Sequence, residues 1–269
     1  MDKRLIAGVT IVVIGVSITG GLFLFPRTTV QYHKTSTADN VEYLVGIYNV
    51  RDSDVNVSFT DDSTLLYTMT IETYGPSNFY LHEDSYRTLL NYYQGPSLVA
   101  WSGDEVRVKS VDLVLSTRKA YKLNIWGTRL NVTIDYADGA LIGQESFVWV
   151  HSDNGTVVVN YNGAEVDDST LGDSSDPVRI DFDLGTQHLM GYDLAYAELN
   201  INLPYFYYGN LDINSETWDV TMTGWNRTLN PDIESYFTDN VEGEGNPPNC
   251  YIDVMAVEVV ANLIRALTP

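Results

Sequence analysis

The stretch "PVRIDFDLG" sets Val178, Ile180, Phe182 and Leu184 on one side and Arg179, Asp181 and Asp183 on the other. This period-two pattern allows a strand with one buried face and does not fit a helix. It recurs along the chain. "RLNVTIDYADG" alternates Leu130, Val132, Ile134 and Tyr136 against Asn131, Thr133 and Asp135, and "AYAELNINLP" does the same from Ala197 to Leu203. "DVNVSFTDD" and "LLYTMTIETYG" read as an early strand pair joined through Asp61 and Asp62. "FVWVHSDNGTVVVNYNG" has a hairpin signature, with Asp153-Asn154-Gly155 supplying the positive-φ positions of a tight turn. The expectation is an all-β chain, either a layered β-sheet or β-solenoid, or a β-sandwich. With 19 Tyr, 8 Phe and 5 Trp it has ample apolar area for a core.

Helix signals are few. In "EDSYRTLLNYYQGP", Asp84 is placed to cap a helix whose face carries Tyr86, Leu89, Leu90 and Tyr93, closed by Gly95 and Pro96. "NPDIESYF" offers a second short helix capped by Asn230, with Pro231 in the first position. The tail "YIDVMAVEVVANLIRALTP" fits both periods and is read as a last core strand.

From Leu5 to Phe25 the chain carries 21 residues without a charge, closed by Pro26. As a helix this run would be about 31 Å long, close to the ~30 Å hydrocarbon thickness of a bilayer. The apolar run continues past the small residues Thr19, Gly20 and Gly21, which argues for a retained single-pass anchor over a cleaved signal. The expected organisation is a cytoplasmic head at 1–4, a transmembrane helix at 5–25, a juxtamembrane spacer at 26–39 and a β-rich extracytoplasmic domain at 40–269. Ser17 and Gly21 form a small-residue pair at the spacing that seats a second helix. Lys3 and Arg4 before the run nearly balance Arg27 and Lys34 after it, so orientation rests on the size of the C-terminal part. The expected location is the membrane, with the large domain outside the cytoplasm.

Residues 28–269 hold 12 Lys plus Arg against 35 Asp plus Glu, a net charge of −23. Such a surface repels phosphate backbones and excludes nucleic acid as a partner. The expected partners are the lipid bilayer, through residues 5–25, and envelope proteins or glycans. Sequons at Asn56, Asn131, Asn154 and Asn226 are close to the number this composition gives by chance, and Asn154 is explained by its turn.

No catalytic constellation is legible. His33, His82, His151 and His188 include no pair at helical ligand spacing, and Cys250 has no sequence-local partner. Asp52, Asp54 and Asn56 begin like a calcium loop, but Val57 stands where Gly is needed and Ser63 where Glu is needed. The loop from Glu165 to Asp176 carries five carboxylates and reads as a solvated segment. Tyr205, Phe206, Tyr207 and Tyr208 could stack on sugars, but such aromatics on a strand are more often core and edge packing. No catalytic, cofactor-binding or metal-ligating residue is assigned, and no cofactor is expected.

"VNVSFTDDSTLLYTMTIE", "VDLVLST", "LNVTIDYADGALIG" and "VRIDFDLGTQHLMG" follow one another as short strands separated by Gly turns, with "TGW" (Thr223 to Trp225) near the end. In this the chain resembles uncharacterised membrane-anchored envelope proteins with adhesin-like ("toast-rack") β domains. The resemblance implies a layered sheet or right-handed β-solenoid, a structural or adhesin-like surface role, and no catalysis. A carbohydrate- or ligand-binding ectodomain of a membrane complex is the alternative reading. A glycosidase on a β scaffold is another, and it requires two carboxylates about 5–9.5 Å apart.

Overall fold

The computed structural model describes residues 27–36, 42–74, 79–89, 93–102, 107–137, 140, 145–162, 179–185, 187–188, 191–192, 194–203, 209–224, 228–229, 237–238 and 250–265. Strands come in the order β1 (Arg27–Thr35), β2 (Glu42–Arg51), β3 (Asp54–Thr60), β4 (Leu65–Tyr74), β5 (Phe79–Leu89), β6 (Tyr93–Ser102) and β7 (Arg107–Ser116). They continue as β8 (Ala120–Thr128), β9 (Asn131–Asp135), β10 (Glu145–Asp153), β11 (Gly155–Asn162) and β12 (Arg179–Leu184). Two-residue β13 (Gln187–His188) and β14 (Gly191–Tyr192) precede β15 (Leu194–Leu203) and β16 (Gly209–Thr223). Two-residue β17 (Thr228–Leu229) and β18 (Phe237–Thr238) precede the final β19 (Cys250–Arg265).

Fifteen strands form one sheet folded back on itself. One arm runs β5-β6-β2-β8-β10-β12 and the other β1-β4-β7-β3-β9-β11-β15. The two arms meet at β19, whose Cys250–Val254 part pairs with β12 while its Ala256–Arg265 part pairs with β15. Outside it, β16 follows β19 along almost its whole length. Successive rungs therefore cross from one arm to the other: β2 into β3, β8 into β9, β10 into β11. Their pairings are parallel and in register. At the opposite end the pairing turns antiparallel, with β1 on β4 and β4 on β7 closing one arm and β5 on β6 closing the other.

The inward residues of both arms form one core. A chain of rings runs along one arm and crosses to the other at Phe182. Phe59 stacks on Tyr136 with centroids 4.5 Å apart, Tyr136 meets Tyr161 edge-on at 5.1 Å, and Tyr161 meets Phe182 at 5.6 Å. The alternation in "RIDFDL" is thus accounted for: Ile180, Phe182 and Leu184 are buried while Asp181 and Asp183 face outward.

Each rung turns at a corner that requires left-handed backbone. Asp52, Arg129 and Asn154 adopt φ of 50, 54 and 55°, and Gly185 adopts 82°. Neighbouring corners are tied by backbone bonds: Asp52 N–H donates to Thr128 C=O, and Arg129 N–H donates to Asp153 C=O. The Arg129 guanidinium also clasps Asp52, its Nη2 reaching Oδ2 at 2.8 Å. At Gly185 an added Cβ would overlap the Met255 carbonyl oxygen as well as meeting a disfavoured φ, so only glycine fits there.

Several sequence expectations are corrected. The helix expected from Asp84 is replaced, over its described residues, by strand: residues 84–89 lie in β5 and Tyr93 opens β6, its antiparallel partner. Pro96 is tolerated because β6 pairs with β2 only from Ser97 onward, so no ladder donor toward β2 is missing. β3 and β4 are not partners, since β7 lies between them. Asn154 does turn the chain, but β10 and β11 are not a hairpin. Each pairs in parallel with the rungs before and after it, so the turn is a corner between arms. Residues 27–35, within the expected spacer, form a strand paired to β4. The tail is a strand, as expected. Among the described residues no helix is long and apolar enough to cross a membrane. The run at 5–25 and the "NPDIESY" stretch lie outside the described residues.

Phe182→Ala is expected to lower unfolding free energy by about 3–5 kcal/mol, because a fully buried ring leaves a cavity between the arms. Asn202→Ala, which removes an exposed bond to Asn162, is expected to cost only about 0.5–1.5 kcal/mol. Urea unfolding of the two variants checks the difference.

Candidate functional site

The outer faces of the two arms differ. On the β3-β9-β11-β15 arm, side-chain amides and carboxylates bond along the stack. Asn56 donates to Asp112 at 2.8 Å, Asn131 to Asp54 at 2.9 Å, and Asn160 to Asp135 at 2.6 Å. Asn200 donates to Asn160 at 2.9 Å and Asn202 to Asn162 at 3.1 Å. Asp52, Asp54 and Asn56, which begin like a calcium loop, are therefore each engaged by a neighbouring rung. Asn56 and Asn131 use their amide nitrogens in this ladder, whereas Asn154 sits exposed at its corner.

The outer face of the β5-β6-β2-β8-β10-β12 arm carries rings and carboxylates. Register places Tyr80, Trp101, Tyr48, Trp126 and His151 side by side on five adjacent strands. Trp126 is 48% exposed, and its ring lies 4.7 Å from that of His151. Tyr48 folds back over Gly46, where any Cβ would strike its ring, so the tyrosine lies along the sheet instead of standing off it. Toward the corner the next row is polar: Arg51, Thr128 and Asp153 stand in register. On the other side Phe147 and Trp149 stack at 4.2 Å and, with Leu44, form a small second cluster outside the main core. Asn124, beside Trp149, is only 4% exposed, and its Oδ1 has no hydrogen-bond partner.

Along the row of Trp149, the strands that follow present carboxylates. Trp149 is in register with Asp183, Asp183 with Asp253, and Asp253 with Asp212, on parallel strands about 4.8 Å apart. Burial, then the charges of Asp253 and Asp181, push the Asp183 carboxyl up to about 7. Burial, then Asp212 and Asp181, push Asp253 up to about 6. Among the described residues Asp253 Oδ1 has no hydrogen-bond partner. Burial first, and like charges nearby second, thus hold protons on these carboxyls near neutrality.

The remaining sequence candidates fall apart in space. Cys250 is buried in the core, and burial, with Asp181 nearby, raises its thiol far above the ordinary range, so it is not poised as a nucleophile. His33 Nδ1 lies 2.9 Å from Thr68 Oγ1 on the β1–β4 pair, far in the strand order from His151. The loop from Glu165 to Asp176 and the run Tyr205 to Tyr208 lie outside the described residues. Among the described residues no group of three or more His, Cys, Asp or Glu is arranged to hold a metal ion.

The fold has a solved counterpart. A candidate cell adhesion protein from Clostridium sporogenes aligns over 89% of this chain and 100% of its own, with a TM-score of 0.52 and 10% sequence identity. A candidate adhesin from Bacteroides fragilis aligns over 88% of this chain and 97% of its own at 9% identity, with a TM-score of only 0.25. No family model matches the sequence, and no curated protein matches it. The expected likeness to adhesin-like β domains is met at the level of the fold.

The carboxylate row was not assigned from the sequence, and neither was the ring row. One signal pointed to part of the ring row. The β8–β9 and β10–β11 rungs are offset by 25 residues, which pairs Asn124 with Trp149, Trp126 with His151 and Asn131 with Thr156. A repeat scan at that period brings outward positions of adjacent rungs into line.

The acidic row predicts a pH dependence. A carboxyl whose folded pKa is raised binds more protons folded than unfolded between its ordinary value and the raised one, so stability falls as pH rises across that window. Asp62, held low chiefly by the Thr64 hydroxyl and N–H, and Glu72, held low chiefly by Lys109, act oppositely and only below their ordinary range. Melting temperature is therefore expected to be highest near pH 4–5 and to fall through pH 6–7. Asp183→Asn is expected to raise it by about 2–4 °C at pH 8 and to leave it nearly unchanged at pH 4. A pH series of thermal melts on both proteins checks this.

Proposed function

We propose that the chain is a membrane-anchored, extracytoplasmic β-rich protein with an adhesin-like surface role and no catalytic activity. The observation that carries this reading is the outer face of the β2-β8-β10 arm. It offers the exposed ring of Trp126, packed against that of His151, beside the polar row Arg51, Thr128 and Asp153, on an architecture shared with a candidate cell adhesion protein. The anchoring part rests on the 21 uncharged residues from Leu5 to Phe25. Their helix would end one residue before β1 begins, so the stack would stand directly on the bilayer by its β1–β4 end.

A second reading, glycoside hydrolysis, has one observation in its favour. Asp183 and Asp253 lie on adjacent strands, one strand spacing apart, with raised pKa values and with Trp149 in the same row. That is the carboxylate pairing a glycosidase uses. Against it, both carboxyls are shifted the same way and by the same causes, whereas acid and nucleophile roles need environments that separate them.

Cells expressing the full chain are expected to yield it in the membrane fraction, released by detergent and not by high salt, and trimmed by external protease. A soluble chain beginning near Thr28 overturns the anchor. Incubation with neutral polysaccharides is expected to release no reducing ends. Release that is abolished by Asp183→Asn and Asp253→Asn would establish the hydrolase instead.

A further inference from the structure

We infer that the row Tyr48–Trp126–His151, together with the bordering row Arg51–Thr128–Asp153, is a binding face for uncharged glycans. The inference rests on the surface role proposed above and names its ligand.

The exposed Trp126 ring is the central aromatic seat, flanked on the neighbouring strands by the half-buried Tyr48 and His151. Tyr48, Trp126 and His151 occupy consecutive strands in register, and the row continues through Trp101 and Tyr80 at the backbone level. The three strands β2, β8 and β10, at about 4.8 Å spacing, set these rings across about 10 Å. The face of an aromatic ring is the negative pole of its quadrupole, and the axial C–H bonds of a sugar ring present weak positive charge to it. Trp126 supplies the largest such face and leaves 48% of its surface in water. Gly46 keeps the Tyr48 ring down along the sheet, so a ligand lying across the strands meets a low platform instead of a protruding side chain.

A sugar needs hydroxyl partners at the edge of its apolar face. Arg51, Thr128 and Asp153 provide a donor, a two-way hydroxyl and an acceptor in one row next to the rings. Arg51 and Asp153 are exposed, Thr128 is half-buried, and among the described residues none of the three side chains is engaged by another. The opposite arm differs here, because its amides and carboxylates already bond to one another along the stack. A hydroxyl arriving there would have to displace an existing bond; one arriving beside Trp126 would not.

Charge selects among glycans. The chain carries −21 overall, with Asp52, Asp153, Asp181 and Asp183 on the surrounding rungs, so an anionic polysaccharide is repelled. A polycation would be drawn to the carboxylate row and not to the rings. An uncharged, hydroxyl-rich chain is the ligand that both rows fit.

The test uses the full 269-residue chain in detergent, co-sedimented with cellulose, chitin and cross-linked dextran as uncharged probes. Cross-linked polygalacturonate serves as the anionic probe and chitosan as the cationic one. Retention on at least one uncharged probe is expected. Trp126→Ala is expected to weaken it about tenfold and Trp126→Phe by no more than about threefold. Thr128→Val and Asp153→Asn are expected to weaken it about threefold each, with melting temperatures unchanged. Tyr48→Ala is a second probe of the row should Trp126→Ala prove poorly folded. The inference is overturned by no retention on any uncharged probe, by retention on charged probes alone, or by uncharged binding that survives Trp126→Ala or Tyr48→Ala. A chain found at the cell surface that retains no glycan sinks this inference alone; retention by a chain that never reaches the surface sinks only the proposed role.

Discussion

The structure depends on turning a strand from one arm to the other within two or three residues. Asp52, Arg129 and Asn154 hold φ near 50–55° to do it, a conformation that side chains larger than glycine enter at a cost. What offsets that cost is stacking. Each corner N–H finds the carbonyl of the next corner, and Ser152 Oγ accepts from Leu130 N–H at 2.9 Å. A corner alone would be an unfavourable turn with unsatisfied backbone. Among neighbours it is part of a ladder, so rungs form cooperatively.

That logic makes the last strand the closing element. β19 is added after β16 in sequence yet lies inside it in the stack, and it pairs with both arms at once. Its inward residues, from Cys250 to Leu263, complete the core where the arms meet. The buried, unreactive thiol of Cys250 belongs to that packing. The carboxylate row exists for the same reason: in-register parallel pairing sets Asp183, Asp253 and Asp212 side by side whether or not their charges favour it. Core pairing outweighs both the burial of these carboxyls and their mutual repulsion, and the raised pKa values record those two costs in that order.

How much of this was legible follows from what period-two alternation encodes. It separates the inward from the outward side of a strand, so Ile180, Phe182 and Leu184 could be set against Asp181 and Asp183 from sequence alone. It says nothing about which strand lies alongside. Asn154-Gly155 signals a reversal equally well for a hairpin and for a corner, because both need positive φ; only the partners on either side distinguish them. The stretch from Asp84 to Tyr93 fails differently. Its apolar residues satisfy helical and strand spacing alike, and pairing with β6 decided between them. The ring row was hidden because its members come from residues 48, 80, 101, 126 and 151, adjacent only after the rungs stack.

Charge along the stack completes the argument for where function sits. Residues 27–135, which build the β1 and β5 end through β9, carry 10 Lys plus Arg and 13 Asp plus Glu. Residues 136–269, which build the β16 end, carry 3 and 22. The molecule is therefore nearly neutral at one end and strongly acidic at the other. Four of the five strands bearing the ring row, β5, β6, β2 and β8, belong to the near-neutral end, and β10 stands at the boundary. Desolvating a carboxylate beneath a ligand is costly, and a face that must release water to stack on a sugar does best away from crowded charge. Within the same sheet, the strands β2 and β8 that carry Tyr48 and Trp126 therefore lie in the part of the sequence with the sparser net charge.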